Sequence, residues 1–137
     1  MKPQPPWSPT GPSWSRAALW AVKSSWVVSW MHQLDHAQKA FRRTEQPLQE
    51  LTMQPSDYVR KHLRFTPFPG EPVGWMIEQA GEELFMFSTD YPHPEGGKDP
   101  LAKFEATMTD VAEPAKQRFY YDNMADLLGP ALVPTPA

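Results

Sequence analysis

The feature of this 137-residue chain that most limits its fold is Leu84-Phe85-Met86-Phe87, four large apolar residues in a row with no polar alternation. A strand with one face in water alternates apolar and polar side chains, whereas the strands of a parallel sheet are covered on both faces and do not. The run therefore predicts a buried strand of a parallel sheet. Parallel neighbours need crossover connections, normally helical, so helices should flank it. Upstream, Pro72 at a first helical position, Val73, Met76, Ile77 and Ala80 on one face, and Gly81 just past the end describe a short capped helix. Downstream, Asp99 caps and Pro100 opens another, with Leu101, Phe104 and Met108 inward. Leu63 to Thr66 is a further candidate strand, and this rhythm of strand and helix is that of an α/β fold.

The rest of the chain is helical or proline-rich. From Ser25 to about Arg43, apolar residues at Val27, Trp30, Met31, Leu34, Ala37 and Phe41 recur at three and four, marking one face of an amphipathic helix that Pro47 follows. A second helix is expected from Ser56, whose hydroxyl can cap the amides of residues 57–59, to about His62. A last one runs from Pro114 towards Leu128, with Gly129 as its stop. The opening MKPQPPWSPTGP lacks too many amide donors for a helix or central strand. Residues 1–25 thus read as a disordered proline- and tryptophan-rich tail, 26–129 as the folded domain, and 130–137 as a second tail. PQPP and PPWSP could serve as polyproline II ligands, but such termini are more often plain tails.

Charge and composition narrow the functional classes. A net charge of −3 provides no basic field for nucleic acid or an anionic membrane. The apolar stretch Ala17 to Val22 is far too short to span a bilayer and makes a poor signal peptide, so a cytoplasmic protein is expected. Without cysteine, any metal must be held by His, Asp or Glu.

In parallel α/β folds the loops at the carboxyl ends of the strands build the active site, and Asp90 follows the apolar run there. A carboxylate in that place faces solvent, caps the next segment, or serves a metal ion or proton relay; loop capping is the commoner of these. Tyr91-Pro92-His93-Pro94 stiffens the chain beyond it, and Gly96-Gly97 would restore freedom to the loop behind. Asp90 and His93 together are still fewer ligands than a catalytic metal needs. His32 and His36 stand four apart as in a zincin helix, but Gln33 replaces the required glutamate and both lie off the apolar face, so a solvated surface is the better reading. There is no glycine-rich phosphate loop and no Gly-x-Ser-x-Gly elbow.

Phe87-Ser-Thr-Asp-Tyr-Pro-His-Pro94, preceded by Ile77-Glu-Gln-Ala-Gly81 and followed by Asp122-Asn-Met-Ala-Asp-Leu-Leu-Gly129, resembles the end of the amidohydrolase-related family that includes aminocarboxymuconate-semialdehyde decarboxylase. The likeness reaches upstream through Ser56-Asp-Tyr-Val-Arg60 and the helix at Trp30–Asp35, so it covers roughly residues 26 to 129. It implies a TIM (β/α)8 barrel in which a divalent metal, commonly zinc, activates water for hydrolysis or non-oxidative decarboxylation of a small molecule. It further implies that Asp90 ends the eighth strand, contacts the metal and takes a proton from the bound water, while His93 shapes the loop or supports the site from behind.

The departures are as informative. The family's amino-terminal His-x-His pair is absent, and no histidine falls between His36 and His62 or between His62 and His93. A full barrel needs about 250 residues, so only its last strands and helices can be present. The expectation is an incomplete carboxy-terminal piece of such a barrel, with helices predominating, inactive alone. The alternatives are a site completed by an oligomer or complementing chain, a non-catalytic interaction module, and a truncated gene product.

Overall fold

The computed structural model describes residues 17–19 and 23–129. Two short strands, β1 (Ala17–Leu19) and β2 (Leu63–Phe65), run parallel with Ala17 opposite Leu63 and Leu19 opposite Phe65. Phe65 in turn forms a parallel bridge to Phe85. The three segments thus lie side by side in chain order, each step crossed by helices as parallel pairing demands. Residues 17–19 fall where the sequence suggests a tail, and they instead pair with β2 as a short strand. The expectations for residues 1–16, 20–22 and 130–137 lie outside the described residues.

Between β1 and β2 come α1 (Trp26–Phe41), α2 (Gln46–Gln49) and α3 (Pro55–His62). The spacing in α1 is realised: Val27, Val28 and Met31 are buried, with Trp30 and Leu34 packed against the core. Phe41, expected on the same face, is the last residue of α1 and is 56% exposed. Ser25 offers no side-chain cap. Glu71 does the capping from another loop: its carboxylate accepts from the Ser24 and Ser25 amides at 2.8 and 2.9 Å, and from Phe68 N at 2.8 Å. An anion is well placed at that end of the helix, where free amides and the macrodipole are both positive.

The start of α3 differs from expectation in the same way. Pro55 opens it, and the Ser56 hydroxyl accepts from Arg60 Nη1 at 3.2 Å instead of capping. The Ser56 amide donates to Asp35 Oδ1 on α1 at 2.9 Å. Long-range carboxylates have taken both capping jobs that local hydroxyls could have done.

After β2, α4 (Val73–Ala80) buries Val73, Met76, Ile77 and Ala80 and ends at Gly81 with φ 115°. Leu84, Phe85 and Met86 follow, all fully buried, as an apolar run without alternation requires. Only Phe85 bridges to β2, so the segment is shorter as a strand than its composition suggests. Beyond it are α5 (Pro100–Thr107), α6 (Glu113–Gln117), a π-helical turn at Arg118–Asp122, and α7 (Asn123–Leu128), which ends at Gly129. Asp99 caps α5 as expected, accepting from Ala102 N at 3.0 Å. Phe104 is inward but Leu101, expected beside it, is 52% exposed.

An aromatic cluster joins this last third to the sheet. Phe87, Phe104, Phe119 and Tyr120 pack with ring centroids 5.1 to 6.2 Å apart, mostly edge to face. Each fully buried phenylalanine contributes about 1.5–3 kcal/mol by leaving water. The Tyr120 hydroxyl donates to Glu105 at 2.7 Å, and Lys116 reaches the same carboxylate at 3.1 Å, tying α5 to α6 and the π turn. Burial, reinforced by the Glu105 charge, pushes the Tyr120 hydroxyl's pKa upward. The tyrosine's hydrogen bond, and then that from Lys116, hold the Glu105 carboxyl below its usual range.

Candidate functional site

Asp90 stands just beyond the buried segment 84–86, where strand ends gather loops in a parallel fold. Its backbone is left-handed, φ 57°, a conformation that aspartate tolerates better than most residues. Its amide donates to Ser88 Oγ at 3.3 Å. One carboxylate oxygen, Oδ2, is buried and has no hydrogen-bond partner among the described residues. A buried acceptor without a donor is costly, so its position here calls for a ligand or a neighbour that the described residues do not supply.

The loop behind Asp90 is tightly folded. The Asp90 carbonyl accepts from His93 N at 2.8 Å across the cis Tyr91–Pro92 bond, which makes a four-residue turn. A 3-10 turn at Pro94–Gly96 then brings Gly96 against the Thr89 carbonyl. A Cβ on Gly96 would collide with that carbonyl and press on Asp90 Cβ at 3.3 Å. The sequence suggests that Gly96 frees the loop to adapt; the structure shows it buried, its missing side chain allowing the loop to lie on Thr89 and Asp90. Asp90 is therefore held from both sides.

His93 is exposed, and its backbone amide makes the bond that closes the turn. Its side chain, with Thr89, Tyr91, Gly97 and Pro100, lines an open hollow of about 510 Å³. A larger groove of about 740 Å³ lies between α1 and α4 and contains none of the Asp90 loop. His32, His36 and Trp75 line it, with both histidines exposed as their helical spacing implies. His62, at the end of α3, stacks on Tyr58 with centroids 6.5 Å apart.

The divalent metal implied by the sequence resemblance can be tested against these donors. Asp90 Oδ2 has the character of a metal ligand: an oxygen anion, buried and unpartnered. A catalytic zinc, however, takes three protein ligands, and no group of three or more His, Asp or Glu side chains that could hold a metal occurs among the described residues. The described residues do not by themselves make a metal centre, and of that loop only the Asp90 carboxylate offers a buried oxygen donor. Asn123, which the sequence did not single out as a site residue, is buried at 1% exposure and donates to the carbonyls of Glu82 and Phe85 at 2.7 and 2.9 Å. An asparagine within a helical pattern carries no signal of that contact.

No protein-family model matches the chain, and no curated protein matches it. Among solved structures, an amidohydrolase from Mycobacterium avium subsp. paratuberculosis K-10 superposes on 83% of this chain with a TM-score of 0.68 and 23% identity. The fold is that of part of an amidohydrolase. The match takes up 28% of the length of that protein, so the chain corresponds to under a third of an amidohydrolase. None of the described helices is long and apolar enough to cross a membrane.

Proposed function

We propose that this chain is the carboxy-terminal part of an amidohydrolase barrel of the kind that includes aminocarboxymuconate-semialdehyde decarboxylase, presenting Asp90 to a divalent-metal centre that it does not itself complete. The observation that carries the reading is the Asp90 carboxylate: buried on one oxygen, without a hydrogen-bond partner there among the described residues, and clamped at the end of the last sheet segment. Parallel order of the three sheet segments and likeness to under a third of an amidohydrolase support it.

On this reading the chain's own contribution is to position one carboxylate. The left-handed Asp90 backbone, the turn closed by His93 N, and the close approach of Gly96 fix where that carboxylate lies. When bound, a metal such as zinc would supply an activated water for hydrolysis or decarboxylation of a small molecule. Its remaining ligands and the substrate pocket would come from the missing strands, in a longer polypeptide or a complementing chain. By itself the chain is inactive, and a cytoplasmic setting belongs to the same proposal.

A chimera tests this. Residues 17–129, which include β1, would replace the matched portion of the solved amidohydrolase, and bound zinc would be measured with Asp90 intact and as Asp90→Asn. The reading expects a folded chimera whose zinc content drops in the variant. Equal zinc content in two folded chimeras would remove Asp90 from the site.

A further inference from the structure

The segment 84–87 has a partner on both sides, and only one of them is a strand. On the inner side Phe65 makes the two bonds of a parallel bridge: its amide donates to Leu84 O at 2.8 Å, and its carbonyl accepts from Met86 N at 2.8 Å. On the outer side the same pattern recurs one residue along. Asn123 Nδ2 donates to Phe85 O at 2.9 Å, and the Phe119 carbonyl accepts from Phe87 N at 2.9 Å. One donor and one acceptor, on the carbonyl of one residue and the amide two residues later, are what a neighbouring parallel strand would offer there.

The π-helical turn explains how a helix can provide both. In an α-helix the Asn123 amide would bond to the Phe119 carbonyl, four residues back. Here it bonds to Arg118 O, five back, which leaves the Phe119 carbonyl available to Phe87. The Asn123 side chain, 1% exposed, meanwhile also reaches Glu82 O at 2.7 Å and so spans the whole turn before the segment.

We infer that the π turn and Asn123 act as a surrogate strand, closing the outer edge of segment 84–87 so that no further strand can add beside it while they are in place. An open edge invites pairing with a second copy of the chain, and covering it with a helix is one way proteins prevent this. The inference concerns this edge alone and stands whether or not Asp90 serves a metal. It also has a consequence for any complementing chain: on this side it must either displace the carboxy-terminal helix or enter elsewhere.

Two measurements on the full chain test the surrogate. In the unaltered protein, hydrogen exchange by NMR should find the Phe87 amide protected to a degree comparable with Phe65; a Phe87 amide that exchanges like an open loop overturns the inference. Asn123→Ala leaves Phe85 O and Glu82 O without their donor and unpins the turn that holds Phe119 O against the Phe87 amide, so that amide should exchange roughly tenfold faster or more, and the chain should self-associate as concentration rises. Val73→Ala, a core truncation in α4 remote in sequence from this edge, controls for general destabilisation by light scattering. Association of Asn123→Ala well beyond that of Val73→Ala supports the inference; equal association, or an unchanged Phe87 exchange rate, overturns it.

Discussion

Replacing Glu71 by alanine removes an acceptor on which the start of α1 depends. In the native chain the carboxylate takes the Ser24 amide at 2.8 and 3.0 Å, the Ser25 amide at 2.9 Å and the Phe68 amide at 2.8 Å. No side-chain cap and no acidic residue in the first turn of α1 can substitute. Ser24 is 1% exposed, so water reaches its amide poorly and losing this acceptor costs about 1–3 kcal/mol. The other two amides are partly rehydrated, and losing the charge at the helix amino terminus adds about 0.3–1 kcal/mol. Together the loss should be about 2–4 kcal/mol, which at a urea slope near 2 kcal/mol per molar moves the midpoint down by roughly 1–2 M. Glu71→Gln, which keeps one acceptor oxygen but no charge, should fall between. Equilibrium urea unfolding followed by circular dichroism provides the assay. A shift below about 0.5 kcal/mol for the alanine variant would refute the assignment of Glu71 as the cap of α1.

Phe104→Ala should destabilise the chain by about 3–5 kcal/mol, because the ring is fully buried between Phe87 and Phe119 and the cavity cannot readily collapse; urea unfolding measures this. Glu105→Gln should flatten the acid limb of the stability profile. The folded-state pKa of Glu105 is depressed, chiefly by the Tyr120 hydrogen bond and then by Lys116, so its contribution is present above the unfolded value of about 4.3 and is lost as pH falls through the lower folded value. Urea midpoints at pH 6 and pH 3 should therefore differ less in the variant than in the unaltered chain. At the alkaline end the sign reverses for Tyr120: its pKa is raised, so its contribution is present below the unfolded value of about 10 and is lost only as pH rises through the higher folded one.

The elements legible in the sequence were those whose signals are local. The four buried positions of α4 with Gly81 beyond them, and Asp99 with Pro100 at α5, combine periodicity and caps within a dozen residues, and the structure realises both. The misses arise where a distant group supersedes a local one. Ser56 looks like a cap, yet its helix begins one residue earlier and its amide goes to Asp35, 21 residues away. Leu84–Phe87 reads as a full strand, but on its inner edge only Phe85 bridges to β2, and on its outer edge the bonds go to a helical turn. The π turn at 118–122 has no sequence signature at all.

The site divides in the same manner. The position of Asp90 was legible because it follows an apolar run, and such positions gather loops in any parallel fold. The packing of Gly96 on Thr89 was not, because a glycine's need for close approach depends on what the chain meets in space. His93 contributes a backbone bond to the turn, which its side-chain chemistry could not announce.

In the proposed function, Asp90 is one ligand of a metal centre that this chain leaves incomplete. Calorimetric titration of zinc into the purified full chain, with Asp90→Asn alongside, tests it most directly. The two titrations should coincide, since a single carboxylate does not meet the three-ligand need of a catalytic zinc and no fuller donor group occurs among the described residues. A saturable one-to-one isotherm in the unaltered chain that disappears in Asp90→Asn would contradict it, and would mean that the chain completes a metal site on its own.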